Sequence, residues 1–277
     1  MTVRAIDKDT FAREWADWHR LHEENLASPN GWLTITGLHW LGPERQRIDR
    51  APGLWSAGPG GVTVVLSGDD PGDRGDLVVD GRPVHGEYAF GPIPERGGVN
   101  AVWGDAVIEV ARRGGEYIVR PRHPDHPLRA AFRGVPAYAP DPSWVLDGRY
   151  TPFDAPEPVT VGAVVDRIKH VYDAVGRIEF EAGGQQLALT AFPGRTGDQL
   201  SVLFTDATSG RTTYPACRSL TVPVVPGQQA VTLDFNRAVN LPCAYTDFAT
   251  CPLPPAGNRL PVAVEAGEQI PYERAAL

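Results

Sequence analysis

Apolar and polar positions follow two different periods along this chain. Phe11, Trp15, Trp18, Leu21 and Leu26 recur at three-to-four-residue spacing, with His22 on their flank, which is the period of an α-helix burying one stripe. Asp9 or Thr10 is placed to cap the start of that helix by accepting backbone N–H bonds. Ser28-Pro29-Asn30-Gly31 ends it. A helix standing alone cannot bury its stripe, so the pattern lays it across a sheet. From Trp32 onward the period becomes two. Short β-rich runs at 62–67, 77–79, 85–90, 107–111, 117–120, 177–181, 187–191, 200–205 and 231–235 read as strands. Asp80-Gly81, Gly114-Gly115 and Gly183-Gly184 fall between such runs and predict hairpins with positive-φ turns. The expected fold is mostly β, with antiparallel sheets in sandwich- or barrel-like packing and one N-terminal amphipathic helix.

Residues 121–158 are proline-rich and strand-like only around 144–149. They read as a crossing between two β units. The resulting organisation is a helix over 1–30, an N-terminal β unit over 31–120 and a C-terminal β unit over 121–277.

Composition sharpens this picture in a few places. With 42% hydrophobic and 22% charged residues the chain is in the globular range, and 30 glycines and 27 prolines imply many turns between short strands. A formal charge of −8 disfavours nucleic acid and anionic membrane surfaces as partners. Arg112, Arg113, Arg120, Arg122 and Arg129 form one basic cluster, interrupted by acids, which reads as a solvated face. The lysines are Lys8 and Lys169, so Schiff-base chemistry would fall to one of them, and no phosphate-loop motif is present. The first ten residues carry charges without an apolar stretch, and no run of 18 apolar residues occurs. A soluble, cytoplasmic protein is therefore expected, with Cys217, Cys243 and Cys251 reduced.

Local catalytic signatures are missing. There is no Gly-x-Ser-x-Gly elbow, His-Glu-x-x-His helix, Cys-x-x-Cys pair or Gly-x-Gly-x-x-Gly turn, and the sequence names no cofactor and no metal site. His19 and His22 are spaced to share one helix face, yet they also flank the tryptophan stripe, and a packing role is the expectation. His123-Pro-Asp-His126 reads as a surface loop, because metal binding needs three or four convergent ligands.

The stretch from Phe204 to Glu268 is the most informative. Asp206 to Gly210 is turn chemistry, and 212–220 resumes as a strand that would set Tyr214, Ala216 and Arg218 on one face. Asp234 and Asn236 alternate likewise, with Leu233 and Phe235 opposite. Beyond them, Cys243, Thr246, Cys251, Pro252-Leu-Pro-Pro255, Asn258 and Glu265-Ala-Gly-Glu268 read as a long ordered loop held by side-chain hydrogen bonds.

Taken in order, these residues resemble a known family. Asp206-Ala-Thr-x-Gly, Tyr214, Arg218, Leu233-Asp-Phe-Asn236, Asn240-x-Pro-Cys243-Ala-Tyr-Thr246 and Ala249-Thr-Cys-Pro-Leu-Pro-Pro255-x-x-Asn-Arg-Leu-Pro261 are similar to the signature of DUF1684, a family of unknown function. A looser likeness extends upstream through Pro29-x-Gly31-Trp-Leu33, Gly37-Leu-His-Trp-Leu41 and Pro127-Leu-Arg129. The chain departs from the pattern at Cys217, where glycine is usual, and at His123, where aspartate is. The resemblance implies no activity.

Two function classes follow from the residues. In the first, an enzyme or binder takes an anionic small molecule at a cluster of Arg218, Tyr214, Asp234 and Asn236. Arginine would capture the anion, aspartate act as general base and asparagine donate to developing charge. Asn240, Cys243, Thr246, Cys251 and Asn258 would complete the ligand contacts. In the second, the module is non-catalytic: Arg218 and Asp234 form a buried ion pair and the asparagines stabilise the loop. Cys243 and Cys251 read as buried thiols, a disulfide in exported relatives or a reactive pair, the first being favoured.

Overall fold

The N-terminal helix begins two to three residues earlier than the capping pattern suggests. In the computed structural model, which describes residues 7–67 and 76–272, α1 spans Lys8–Leu26. Its cap is Asp7 rather than Asp9 or Thr10: the Asp7 carboxylate accepts the Thr10 N–H at 3.1 Å and the Thr10 hydroxyl. The helix closes ahead of Ser28-Pro29-Asn30-Gly31, where the Gly31 N–H donates to the Ser28 carbonyl at 2.9 Å. None of the described helices is long and apolar enough to cross a membrane.

The chain forms two compact units. One comprises the described residues of 24–133 with 246–250. Its strands are β1 (His39–Trp40), β2 (Gln46–Arg47), β3 (Leu54–Gly58), β4 (Gly61–Val65), β5 (Leu77–Val79), β6 (Arg82–Val84), β7 (Glu87–Gly91), β8 (Gly98–Trp103), β9 (Ala106–Arg113) and β10 (Glu116–Arg122). They make a six-stranded antiparallel sheet, β1-β10-β9-β8-β5-β6, and a four-stranded one, β2-β3-β4-β7. Trp55, Val62 and Val64 of the smaller sheet share a core with Leu77, Ile108, Val110 and Val119 of the larger. The Asp80-Gly81 turn joining β5 to β6 has φ of 49° and 75°, as the dipeptide predicts.

The basic cluster in this unit is not a solvated face. Alternation turns Ile108 and Val110 of β9 into the core and Glu109 to the opposite face. There Glu109 binds Arg120 at 2.6 and 3.1 Å, Arg122 at 2.6 Å and Arg113 at 3.3 Å. Burial alone would raise the Glu109 carboxyl. The charges and hydrogen bonds of Arg120 and then Arg122 outweigh burial and hold it at about 2. His123 and His126 serve their own loop: His123 Nε2 meets the Arg50 carbonyl at 2.7 Å, and His126 Nδ1 accepts the Leu128 N–H to cap α2 (Pro127–Ala131).

The other unit contains the described residues of 1–23, 134–245 and 251–277. Its strands are β11 (Val145–Gly162), β12 (Lys169–Ala182), β13 (Gln185–Pro193), β14 (Gln199–Phe204), β15 (Arg218–Pro223), β16 (Ala230–Asp234) and β17 (Val239–Asn240). All belong to one antiparallel sheet, β16-β11-β12-β13-β14-β15-β17. Val231 and Leu233 near one end of this order share a core with Leu220 and Val222 near the other, so the sheet curls around its interior without closing into a barrel. Leu260, Val264 and Ala266 of the C-terminal segment enter the same core.

The second part of the proline-rich crossing, from Val145 on, is continuous strand rather than a brief run at 144–149, against expectation. Within β11, Val145 to Arg149 pair with β16 on one side, while β12 pairs along the strand as far as Gly162 with one register shift between Pro152 and Glu157. Between Tyr150, whose N–H donates to the Gln229 carbonyl, and Gly162, whose carbonyl accepts the Leu253 N–H, the side away from β12 is an edge among the described residues, where a missing proline N–H costs no ladder bond.

Candidate functional site

Arg218 opens β15 and is 1% exposed. Its guanidinium donates to Asp206 at 2.8 Å, to the Val264 carbonyl at 3.0 Å, to the Glu268 carbonyl at 3.4 Å and to the Ala266 carbonyl. Burial lowers its pKa, and the charge and hydrogen bond of Asp206 oppose that. Asp206 in turn accepts the Thr208 N–H, the Thr208 hydroxyl and the Val264 N–H. The expected Arg218–Asp234 pair is therefore replaced by Arg218–Asp206.

The reason is local backbone geometry. Residues 206–217 are not a strand: Asp206 folds them into a turn in which the Thr208 carbonyl accepts from the N–H groups of Arg211, Thr212 and Thr213. Alternation thus never applies to Tyr214, whose hydroxyl donates to the Cys243 carbonyl at 2.8 Å. It fails equally at Asp234, whose carboxylate caps a 3₁₀ turn, Phe235–Arg237, by accepting the Asn236 N–H, while pairing with Arg237 at 3.2 Å. The Asn236 side chain exchanges two hydrogen bonds with the backbone of Asp141, and its carbonyl accepts Trp15 Nε1–H at 2.7 Å. Of the four groups read as one cluster, Asp234 and Asn236 do meet, the Asn236 amide donating to the Asp234 carboxylate at 2.9 Å, while Arg218 and Tyr214 are held by other partners.

The remaining candidates are also engaged in local structure. Asn258 is fully buried, accepts the Thr190 N–H and donates to the Thr190 and Leu203 carbonyls, stapling β13 to β14. The Thr246 hydroxyl accepts the Phe248 N–H at 3.2 Å. All three cysteines are buried thiols. The Cys251 sulfur accepts the Cys243 N–H, and the Cys243 thiol pKa is pushed up by its hydrogen bond with Cys251 and then by burial. Burial raises the Cys217 thiol as well. None of them has the electropositive setting of a reactive thiolate.

What this frame presents is Glu268. Arg218 grips the carbonyls that lead up to it, and Gly267 turns the chain with φ of 75° at a point where a Cβ would meet the Ala238 carbonyl oxygen at 2.5 Å. Glu268 is 1% exposed. Its Oε2 accepts the Asn240 N–H at 2.6 Å and the Tyr245 hydroxyl at 3.2 Å. Its Oε1 lies 3.0 Å from His22 Nε2 and 3.9 Å from His19 Nε2. These imidazoles stand on α1, each stacked on an indole: His19 on Trp15 at 4.7 Å, His22 on Trp18 at 5.9 Å, both at 12°.

The centre is under-satisfied. His19 Nε2, His22 Nε2, Asn240 Oδ1 and Glu268 Oε1 are buried without a hydrogen-bond partner. The His22–Glu268 contact is short but not aligned as a hydrogen bond. Buried polar atoms are almost always paired, and a concentration of exceptions marks a functional site or a strain reservoir. Among the described residues, no group of three or more His, Cys, Asp and Glu side chains is set out to hold a metal ion. A carboxylate fixed through one oxygen, with the other facing an imidazole, is an arrangement for proton transfer. The sequence does not join these groups: Glu268 comes from the far end of the chain, and the His19/His22 spacing beside tryptophans reads as packing. The adjoining Gly267, in a left-handed turn, was the available clue.

The DUF1684 family, described as "Protein of unknown function (DUF1684)", matches residues 130–269. That range takes in Arg218, Asn240 and Glu268 but not His19 or His22. The solution NMR structure of an uncharacterised protein from Haloarcula marismortui is similar at 32% identity, covering 52% of this chain and 80% of that one, with a TM-score of 0.44. No curated protein matches.

Proposed function

This chain belongs to the DUF1684 family, and we propose that it is an enzyme acting on a small anionic molecule at the Glu268 centre. His22 is the group that exchanges a proton with the bound molecule, and Glu268 is the carboxylate that orients the imidazole. The observation that carries this reading is the buried Glu268 Oε1, fixed from behind by Asn240 and Tyr245 and left facing His22 at 3.0 Å. A general acid–base must be reachable as well as held, and the His22 side chain is 23% exposed while that of Glu268 is 1%. The anionic preference is supported by Arg237, paired with Asp234 through Nε but 42% exposed, whose guanidinium lies 5.3 Å over the Trp18 ring on which His22 stacks.

A second reading is favoured by the saturation of Arg218, Asn236 and Asn258: a non-catalytic β module whose polar residues only stabilise its C-terminal segment. The two separate in a thermal-shift screen of small carboxylates and phosphorylated metabolites against wild type and His22→Gln. The enzyme reading expects a compound that stabilises wild type, binds His22→Gln about tenfold or more weakly, and is consumed only by wild type. A melting temperature that no compound moves, or a compound that binds both proteins equally, sinks it.

A further inference from the structure

The other unit carries a second polar centre, independent of Glu268. On the outward face of the six-stranded sheet, β8, β9 and β10 set Asn100 and Arg120 directly opposite Glu109 from either side. By alternation Gly98, Val107, Arg113 and Arg122 share that face. A cavity of about 390 Å³ opens there, lined by Asn100, Glu109, Arg113 and Arg122 among others. Part of its space exists because position 98 is glycine. A Cβ there meets nothing nearer than 3.4 Å, and its φ is not in the left-handed region, so neither turn geometry nor close packing requires the missing side chain.

Among the described residues, the charges of Glu109, Arg120 and Arg122 do not cancel. Glu109 uses both oxygens on guanidinium groups, with Arg120 and Arg122 alone outnumbering it. Arg120 is 2% exposed and the Arg122 side chain 13%, so the surplus positive charge is held largely away from water. Both guanidinium groups also lie against Trp32, at 5.3 and 4.7 Å from its ring centre. Arg122 Nε is buried with no hydrogen-bond partner. Excess charge in such a setting is costly unless a counter-charge is supplied, and planar guanidinium groups match an oxyanion with two parallel donors.

We propose that this cavity binds a small oxyanion, a carboxylate or a phosphate, through Arg122 and Arg113, with the Asn100 amide as a further donor. The site needs no contribution from His22 or Glu268. The test is calorimetric titration of the full chain with inorganic phosphate and, separately, with malonate, each against chloride at matched ionic strength. Three variants accompany wild type: Gly98→Leu, which fills the cavity without touching a charge, Arg122→Gln, and His22→Gln. Saturable binding of phosphate or malonate is expected, weakened about tenfold or more in Gly98→Leu and Arg122→Gln and unchanged in His22→Gln. The anion that binds identifies the ligand class. Because Arg122→Gln also removes an ion pair to Glu109, Gly98→Leu decides if that variant fails to fold. Absence of binding by both anions, or binding in Gly98→Leu equal to wild type, overturns the proposal.

Discussion

Replacing Arg218 by methionine tests how the frame around Glu268 is held. Methionine keeps most of the volume, so the cavity contribution is small and the change isolates the charge. Lost are the ion pair to Asp206 and the donors to the carbonyls of Val264, Ala266 and Glu268. Left behind is an Asp206 carboxylate, buried in the wild-type fold at 6% exposure, that keeps only the donors of Thr208 and Val264. Removing one partner of a buried ion pair costs about 3–5 kcal/mol. At roughly 2–4 °C per kcal/mol for a domain of this size, the melting temperature should fall by about 6–20 °C. Scanning calorimetry with urea unfolding followed by circular dichroism reads both quantities. The double variant Arg218→Met with Asp206→Asn should recover part of the loss, because the stranded charge is gone. A single variant within about 1 kcal/mol of wild type, with no coupling in the double, refutes the claim that Arg218 is structural and returns it to the pool of ligand-binding groups.

Acid should weaken the unit containing Glu109. Its carboxyl is held at about 2 against an ordinary 4.5, so its contribution is fully present above about pH 4.5 and is lost as pH falls toward 2, on the order of 3 kcal/mol in all. Urea midpoints between pH 5 and pH 2.5 measure this, and Glu109→Gln should flatten that part of the profile; an unchanged slope contradicts it. Gly267→Ala places a methyl 2.5 Å from the Ala238 carbonyl oxygen at a φ of 75°, and should lower stability by about 1–3 kcal/mol and loosen Glu268; a neutral result in thermal unfolding means the turn is not required. Cys217, Cys243 and Cys251 are buried, with the thiols of Cys217 and Cys243 shifted upward, so a disulfide-exchange reagent should modify them only on unfolding; prompt labelling of native protein at pH 7.5 contradicts that.

Helical periodicity and glycine-pair turns are two short-range signals with which the structure agrees. The Trp15–Trp18 stripe marks α1 because helical neighbours three and four apart share a face. The glycine pair at 183–184 marks a hairpin, with φ of 57° and 71°, because few other residues sit there at low cost. Strand β11 was hidden because proline counts against a strand in general but not at an open edge. Alternation misled at Tyr214 because Asp206 bends the backbone with its own carboxylate, and Asp234 and Asn236 meet through a 3₁₀ cap rather than across a pleat, a preference of Asx residues that competes with the strand. The polar residues that resemble the family signature were found correctly as a group. Their arrangement was not legible, since several of them hold the segment that carries Glu268, which faces a helix from the opposite end of the chain.

The most direct test of the Glu268 centre follows the imidazoles themselves. Protein labelled with ¹⁵N at its seven histidines, assigned with His19→Gln and His22→Gln variants, is titrated with the compound that stabilises wild type. The account predicts that the His22 ring resonances move in step with binding, those of His19 follow to a smaller degree, and those of His123 and His126 stay in place. Saturation of the ligand with the His22 signals unmoved contradicts it.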